Sequence, residues 1–159
     1  MESIVALCKE NAVRGMEIFL KTFSHVPDDR LNWAPSPTAK SAIRIAAHTA
    51  VYAGHFAKMI RDRRLPSGDE IPEFVARIEA AERALTTRTE IESLFRKNTD
   101  EVLAALDSLT PEAIGTPLDS SLWFVSMTFL MNLPGTHALS HAAQIDYLQT
   151  CWGDQKVHF

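Results

Sequence analysis

The chain has 159 residues, 46% of them hydrophobic and 23% charged. That is material for one hydrophobic core of ordinary domain size, and it excludes a disordered chain and a coiled-coil rod. Sixteen basic residues against twenty acidic ones, without a basic block, argue against binding nucleic acid through its phosphates.

The two cysteines, Cys8 and Cys151, lie far apart with no CxxC pair. This excludes a disulfide scaffold and a cysteine-only zinc site and fits a reducing, cytoplasmic compartment. The opening run MESIVALCKENAVRG carries Glu2 and the Lys9-Glu10 pair in its apolar stretch, so no signal-peptide core forms there.

Apolar spacing predicts helix nearly throughout. Ile4, Leu7, Cys8, Ala12, Gly15, Phe19 and Phe23 recur at steps of three and four, which predicts a first helix over residues 2–25, ended by Pro27. Leu31–Pro37, with two prolines, reads as a loop whose Trp33 anchors on the core. A second helix is expected from Thr38 to Arg63, with Ile45, His48, Tyr52, His55 and Met59 on one face. After a connection containing Pro66 and Gly68, a short helix is expected near Glu73–Leu85. Thr89 with Glu92 reads as a capping box that opens a third long helix through Leu109.

From Ser120 to Ile145 there is no charged side chain, a stretch long enough to span a bilayer. It also contains Asn132, Pro134, His137, Ser140, His141 and Gln144, and that polar load favours a helix buried inside a bundle. This fourth helix is expected to begin near Ser126, with Pro134 as a kink or a break and Gly153 as its stop. The Met and Phe positions within 122–131 read as core. Nothing alternates long enough to argue for a sheet. The expected fold is therefore an all-α four-helix bundle, one domain over 1–159. The 25-residue link between helices two and three, with its short helix, is long enough for a crossover that leaves those two helices parallel.

The chemistry concentrates in histidines. His137 and His141 are four apart on one helical face, a spacing at which two imidazoles can share one metal ion. The same spacing also arises as one buried and one exposed histidine with no ion. Both lie in the charge-free helix, where an unpaired imidazole carries a desolvation cost. His48 supplies a third histidine from the apolar face of helix two, with His55, one heptad on, as its rival. Three histidines with a fourth position open are the layout of a catalytic rather than a structural zinc site. His25 and His158 read as solvated. The helix reads His137-Ala-Leu-Ser-His141, so the glutamate of a His-Glu-x-x-His protease is missing and that class is set aside.

The segments WAPSPTAKSAIRIAAHTAVYAGHF and GTHALSHAAQIDYLQTCWGD resemble the DinB/YfiT-like superfamily of four-helix-bundle metalloenzymes, over essentially the whole chain. The resemblance implies metal ligands at His48, His137 and His141, a polar position following the last ligand at Gln144, and a crossover topology. It also implies chemistry of the kind assigned to some members, thiol-dependent transfer and a mycothiol-dependent isomerisation, in which a divalent metal lowers the pKa of a small thiol. That chemistry needs no protein carboxylate as base.

Three functions stay open at this point: a transferase acting with a low-molecular-weight thiol, a hydrolase using metal hydroxide, and a non-enzymatic bundle whose histidines bind metal for stability or sensing, or bind none. Zinc, then nickel, suits imidazole-only ligation. Tyr52, His55 and Gln144 are the pocket candidates; Arg44, Lys58 and Arg61 are the nearby cations, each of which reads more readily as part of a solvated face. The expected partners are a small-molecule substrate and, through exposed apolar residues such as Trp123 and Phe124, a second copy in a homodimer; neither nucleic acid nor a membrane is expected.

Overall fold

The computed structural model describes residues 3–118 and 125–158. Its helices are α1 (Ile4–Ser24), α2 (Ala42–Asp62), α3 (Ile71–Ala84), α4 (Arg88–Asp107), α5 (Pro111–Gly115) and α6 (Met127–Cys151), with a 3-10 turn at Asp28–Arg30. Among the described residues there is no strand; Leu118 and Val125 form an isolated antiparallel bridge. Nor is any helix among them long and apolar enough to cross a membrane. Trp123 and Phe124 lie outside the described residues.

The four long helices α1, α2, α4 and α6 make the bundle, and their directions follow from who meets whom. Asn98 of α4 donates through Nδ2 to the Ala50 carbonyl of α2 at 2.8 Å. The N-terminal halves of α2 and α4 share one core cluster (Ile43, Ala46 and Ala47 with Ile91 and Phe95), and their C-terminal halves another (Phe56 and Ile60 with Val102 and Leu106). The two helices therefore run parallel, and the link through α3 is the expected crossover. α1 runs against them, with Phe19 edge-on to Phe95 at 5.5 Å and Lys9 bridging to Asp107 at 2.7 Å.

α6 runs parallel to α1 at very short range. A Cβ on Gly15 would stand 2.7 Å from the Gly135 carbonyl oxygen, and one on Gly135 would stand 2.5 Å from that of Asn11. Two glycines are what let these backbones touch. Asn11 and Asn132 bond across the same seam at 2.6 Å. α6 is continuous through Pro134, and the absence of charge from Met127 to Ile145 reflects burial on several sides at once. On α2, alanines 42, 46, 47, 50, 53 and 57 are at most 5% exposed and bring its neighbours close.

Several local expectations shift. α2 starts at Ala42 behind the extended Ser41, not at Thr38, because Ser36 to Ala39 close a turn of their own. The capping box of α4 is Thr87 with Glu90, not Thr89 with Glu92. The guanidinium of Arg88 clamps the Phe23 and Val26 carbonyls and so fixes where the helix begins; Glu92 pairs instead with Arg96 one turn on. Cys8 is buried and Cys151 exposed. Met127, Leu130 and Met131 are core, but Phe129 is 55% exposed. His25 is exposed as expected, whereas His158 is buried. The C-terminal tail folds back over the end of α1, stacks His158 on His25 at 4.3 Å and bonds its Nε2 to Asp154 at 2.7 Å. Trp33 anchors as expected, edge-on to Trp152 at 5.5 Å.

Candidate metal centre

The helical period brings His137 and His141 to one face of α6, and the antiparallel approach of α2 brings His48 opposite them. Their rings lie 4.3 to 5.3 Å apart centre to centre, with the Nε2 atoms of His137 and His141 3.1 Å apart. Each of the three offers a nitrogen within 4.8 Å of the others, the dimensions of a single-ion site. His55 is not part of this cluster. It sits one step further along α2, edge-on to Phe74 of α3 at 5.0 Å, and lines a different cavity of about 400 Å³.

The outer nitrogens are engaged. His48 Nδ1 is 2.6 Å from Oε1 of Glu82, and His141 Nδ1 is 2.8 Å from Oε1 of Gln144. Both partners are acceptors, so both Nδ1 atoms carry the proton and both rings keep an Nε2 lone pair. Burial disfavours the imidazolium in all three rings. His137 is pushed down to about 3, by burial first and then by the neighbouring histidines and Lys40. His141 and His48 are lowered for the same leading reason, against the opposing effect of the hydrogen bonds they donate to Gln144 and Glu82. Three imidazoles disfavoured as imidazolium by burial, with converging nitrogens, are the donor set a borderline divalent ion takes, so the residues present fit a metal.

Tyr52 packs its ring over His48 at 4.4 Å and His137 at 5.3 Å. Burial, then the charge of Glu82, raises its hydroxyl pKa, so it remains a neutral phenol. The cluster opens onto a groove of about 620 Å³ whose walls include Pro35, Ile45, Tyr147 and Leu148, with Lys40 and Gln144 as polar members. A mostly apolar groove with a few convergent polar groups is the common form of a small-molecule site.

Sequence reasoning missed Glu82 and Lys40. The Lys40 ammonium lies 3.1 Å from Oε2 of Glu82 and 3.2 Å from His48 Nδ1. It brings a cation to this site. Arg44 turns to the Glu82 and Leu85 carbonyls, and Lys58 and Arg61 both face Asp62. The signal for Glu82 was present: Phe74, Ile78 and Glu82 recur every four residues, which places an acid in the one apolar stripe of α3. Ser140 bonds back to the Thr136 carbonyl within α6, and Asp146 has a buried Oδ1 without a hydrogen-bond partner among the described residues.

Comparison with known proteins agrees with this architecture. A DinB-like protein from Bacillus subtilis, solved as a crystal structure, superposes with a TM-score of 0.67 at 18% identity, covering 96% of each chain. That likeness speaks for the fold. The comparison with curated proteins gives no match. The sequence profile of the DinB superfamily matches residues 13–145, a span that contains all three clustered histidines, and the chain belongs to that superfamily.

Proposed function

We propose that His48, His137 and His141 hold one divalent ion, zinc in the first place and nickel in the second, and that the protein is a transferase acting on a low-molecular-weight thiol and a small electrophile. The observation that carries this reading is the donor set itself: three imidazoles and, among the described residues, no carboxylate ligand, converging beside an apolar groove. An ion bound there would supply Lewis acidity that favours the thiolate, the nucleophilic form of a thiol.

The chain's own residues divide the remaining work. Gln144 fixes the ring of His141 by accepting its Nδ1 proton. Tyr52 covers the rings of His48 and His137 and keeps water from that side. Ile45 and Leu148 offer the groove an apolar wall for the electrophile. Lys40, about half exposed, places a positive charge at the groove beside His48. A negatively charged group on the thiol or the electrophile gains from that charge, less so in high salt.

The test starts with metal analysis of protein purified without a polyhistidine tag. Thiol addition to a panel of small electrophiles is then followed with and without chelator. Turnover that needs metal and thiol together supports the transferase. Cleavage of esters or amides without any thiol replaces it with the hydrolase. Unfolding by chelator makes the ion structural and removes the catalytic reading.

A further inference from the structure

We infer that Glu82 is a positioning residue of the metal centre, and that through it the crossover helix α3 docks onto the bundle in concert with metal binding. The inference rests on the proposed metal site and adds an element outside the four-helix core to it.

The geometry decides the proton first. His48 Nδ1 faces a carboxylate oxygen at 2.6 Å and an ammonium at 3.2 Å. Were Nδ1 a lone pair, it would stand against the carboxylate at the shorter distance. With Nδ1 protonated, it donates to Glu82 Oε1, while Lys40 donates to Oε2 at 3.1 Å and completes the carboxylate. The ring is then held as the tautomer whose Nε2 is unprotonated, which is the nitrogen left to face the other two histidines. A carboxylate behind a metal-binding imidazole fixes its orientation and raises its basicity, and such partners commonly contribute 10- to 100-fold in metal affinity.

The cost to α3 is visible in its burial. Its only buried residues are Ile78 and Glu82. Glu82 is just 8% exposed. A carboxylate there carries a desolvation penalty that is offset only by its partners, Lys40 and His48. Arg44 adds hydrogen bonds from α2 to the carbonyls of Glu82 and Leu85 at the same end of α3. The helix is thus pinned at its C-terminal end to the ring that completes the metal site. Linkage makes the relation reciprocal: if a docked α3 improves metal affinity, bound metal must favour docking of α3 by the same factor. Because Glu70, Glu73, Phe74 and Arg77 form one wall of the cavity next to His55, metal loading also firms that cavity.

The experiment uses the full chain. Nitrogen-15 NMR of the metal-free protein should show His48 protonated at Nδ1 and not at Nε2; the opposite tautomer overturns the inference without any variant. Zinc affinity is then measured by competition with a chromophoric chelator. Glu82→Gln should bind zinc 10- to 100-fold more weakly. Glu82→Asp, which keeps the charge on a shorter arm, should fall between it and the wild type. Hydrogen exchange gives a readout independent of affinity: saturating zinc should slow exchange of the 71–84 amides in the wild type and leave them unchanged in Glu82→Gln at equal occupancy. Wild-type affinity in Glu82→Gln, or zinc protection of α3 that survives the substitution, overturns the proposal. If the wild type itself binds no zinc or nickel, the metal-site reading fails instead, and the two failures are distinguishable.

Discussion

α6 and α3 both serve the histidine cluster, and they do so in opposite ways. α6 is gripped along its length: Gly135 lies against Gly15 and Asn11 of α1, and Leu130, Met131, Ala138, Ala142 and Ile145 are at most 2% exposed. Its two histidines are presented from a rigid frame, at a spacing the helix dictates. α3 lies across α2 with two buried residues and presents one carboxylate to the back of one imidazole. The difference teaches that a histidine cluster can take its paired members from a tightly held helix and the orientation of its third member from a loosely held one.

The largest expected effect comes from the rigid side. His137→Ala or His141→Ala should abolish stoichiometric divalent-metal binding in equilibrium dialysis, since two ligands hold a divalent ion poorly, while far-UV circular dichroism still shows the bundle. Unfolding of either variant at room temperature would mean that the site holds the fold together, and the contrast between frame and site would break.

Next in size is the helix contact. Gly135→Ala should destabilise by about 1–3 kcal/mol in urea melts, because a methyl at that point meets the Asn11 backbone as well as its side-chain amide, and the backbone cannot swing away. Ile78→Ala on α3 removes buried apolar contact but should act locally. Its expected signature is faster hydrogen exchange over 71–84, with much less change in the global midpoint than Gly135→Ala gives. Equal global losses from the two would show that α3 folds as one unit with the bundle.

Acid offers a subtler probe. The three clustered histidines have pKa values below the ordinary 6.5, His137 down to about 3. The unfolded chain therefore binds more protons than the folded one between those limits. The stabilisation from keeping the rings neutral is fully present above pH 6.5 and is lost as pH falls toward 3. Metal-free protein should accordingly lose stability in urea melts through that window. His137→Ala should flatten part of the slope. A slope unaltered by that substitution would place the titration elsewhere.

The smallest effect is expected at the surface, where Asp107→Ala removes the exposed bridge to Lys9. A loss of about 0–1 kcal/mol in the same melts, diminished further by salt, is the expectation.

Much of this was legible from residues alone. The period of Ile4 through Phe23 gave α1 to within two residues, because an amphipathic face repeats with the helix. The four-residue spacing of His137 and His141 is a property of one helix and needs no partner to be read. Choosing His48 over His55 was harder, since both lie on the same stripe of α2, one heptad apart. What separates them is which neighbour each meets: α6 for His48, Phe74 of α3 for His55. The start of α4 was misplaced by two residues because two threonines each stand three before a glutamate, and the clamp of Arg88 on the carbonyls after α1 is a contact between elements.

Glu82 and Lys40 mark the boundary most clearly. An acid at a four-residue step from Ile78 hints at an inward position, but the sequence holds no statement of what it would meet there. They are 42 residues apart and face each other only because the crossover lays α3 back across α2. By itself the sequence determined the elements, the charge-free helix and the paired histidines, since these depend on periodicities within a few turns of chain. Only the tertiary structure decided which histidine completes the cluster and which carboxylate stands behind it. Those are distances between helices, set by where alanines and glycines let backbones approach, and no local pattern encodes them.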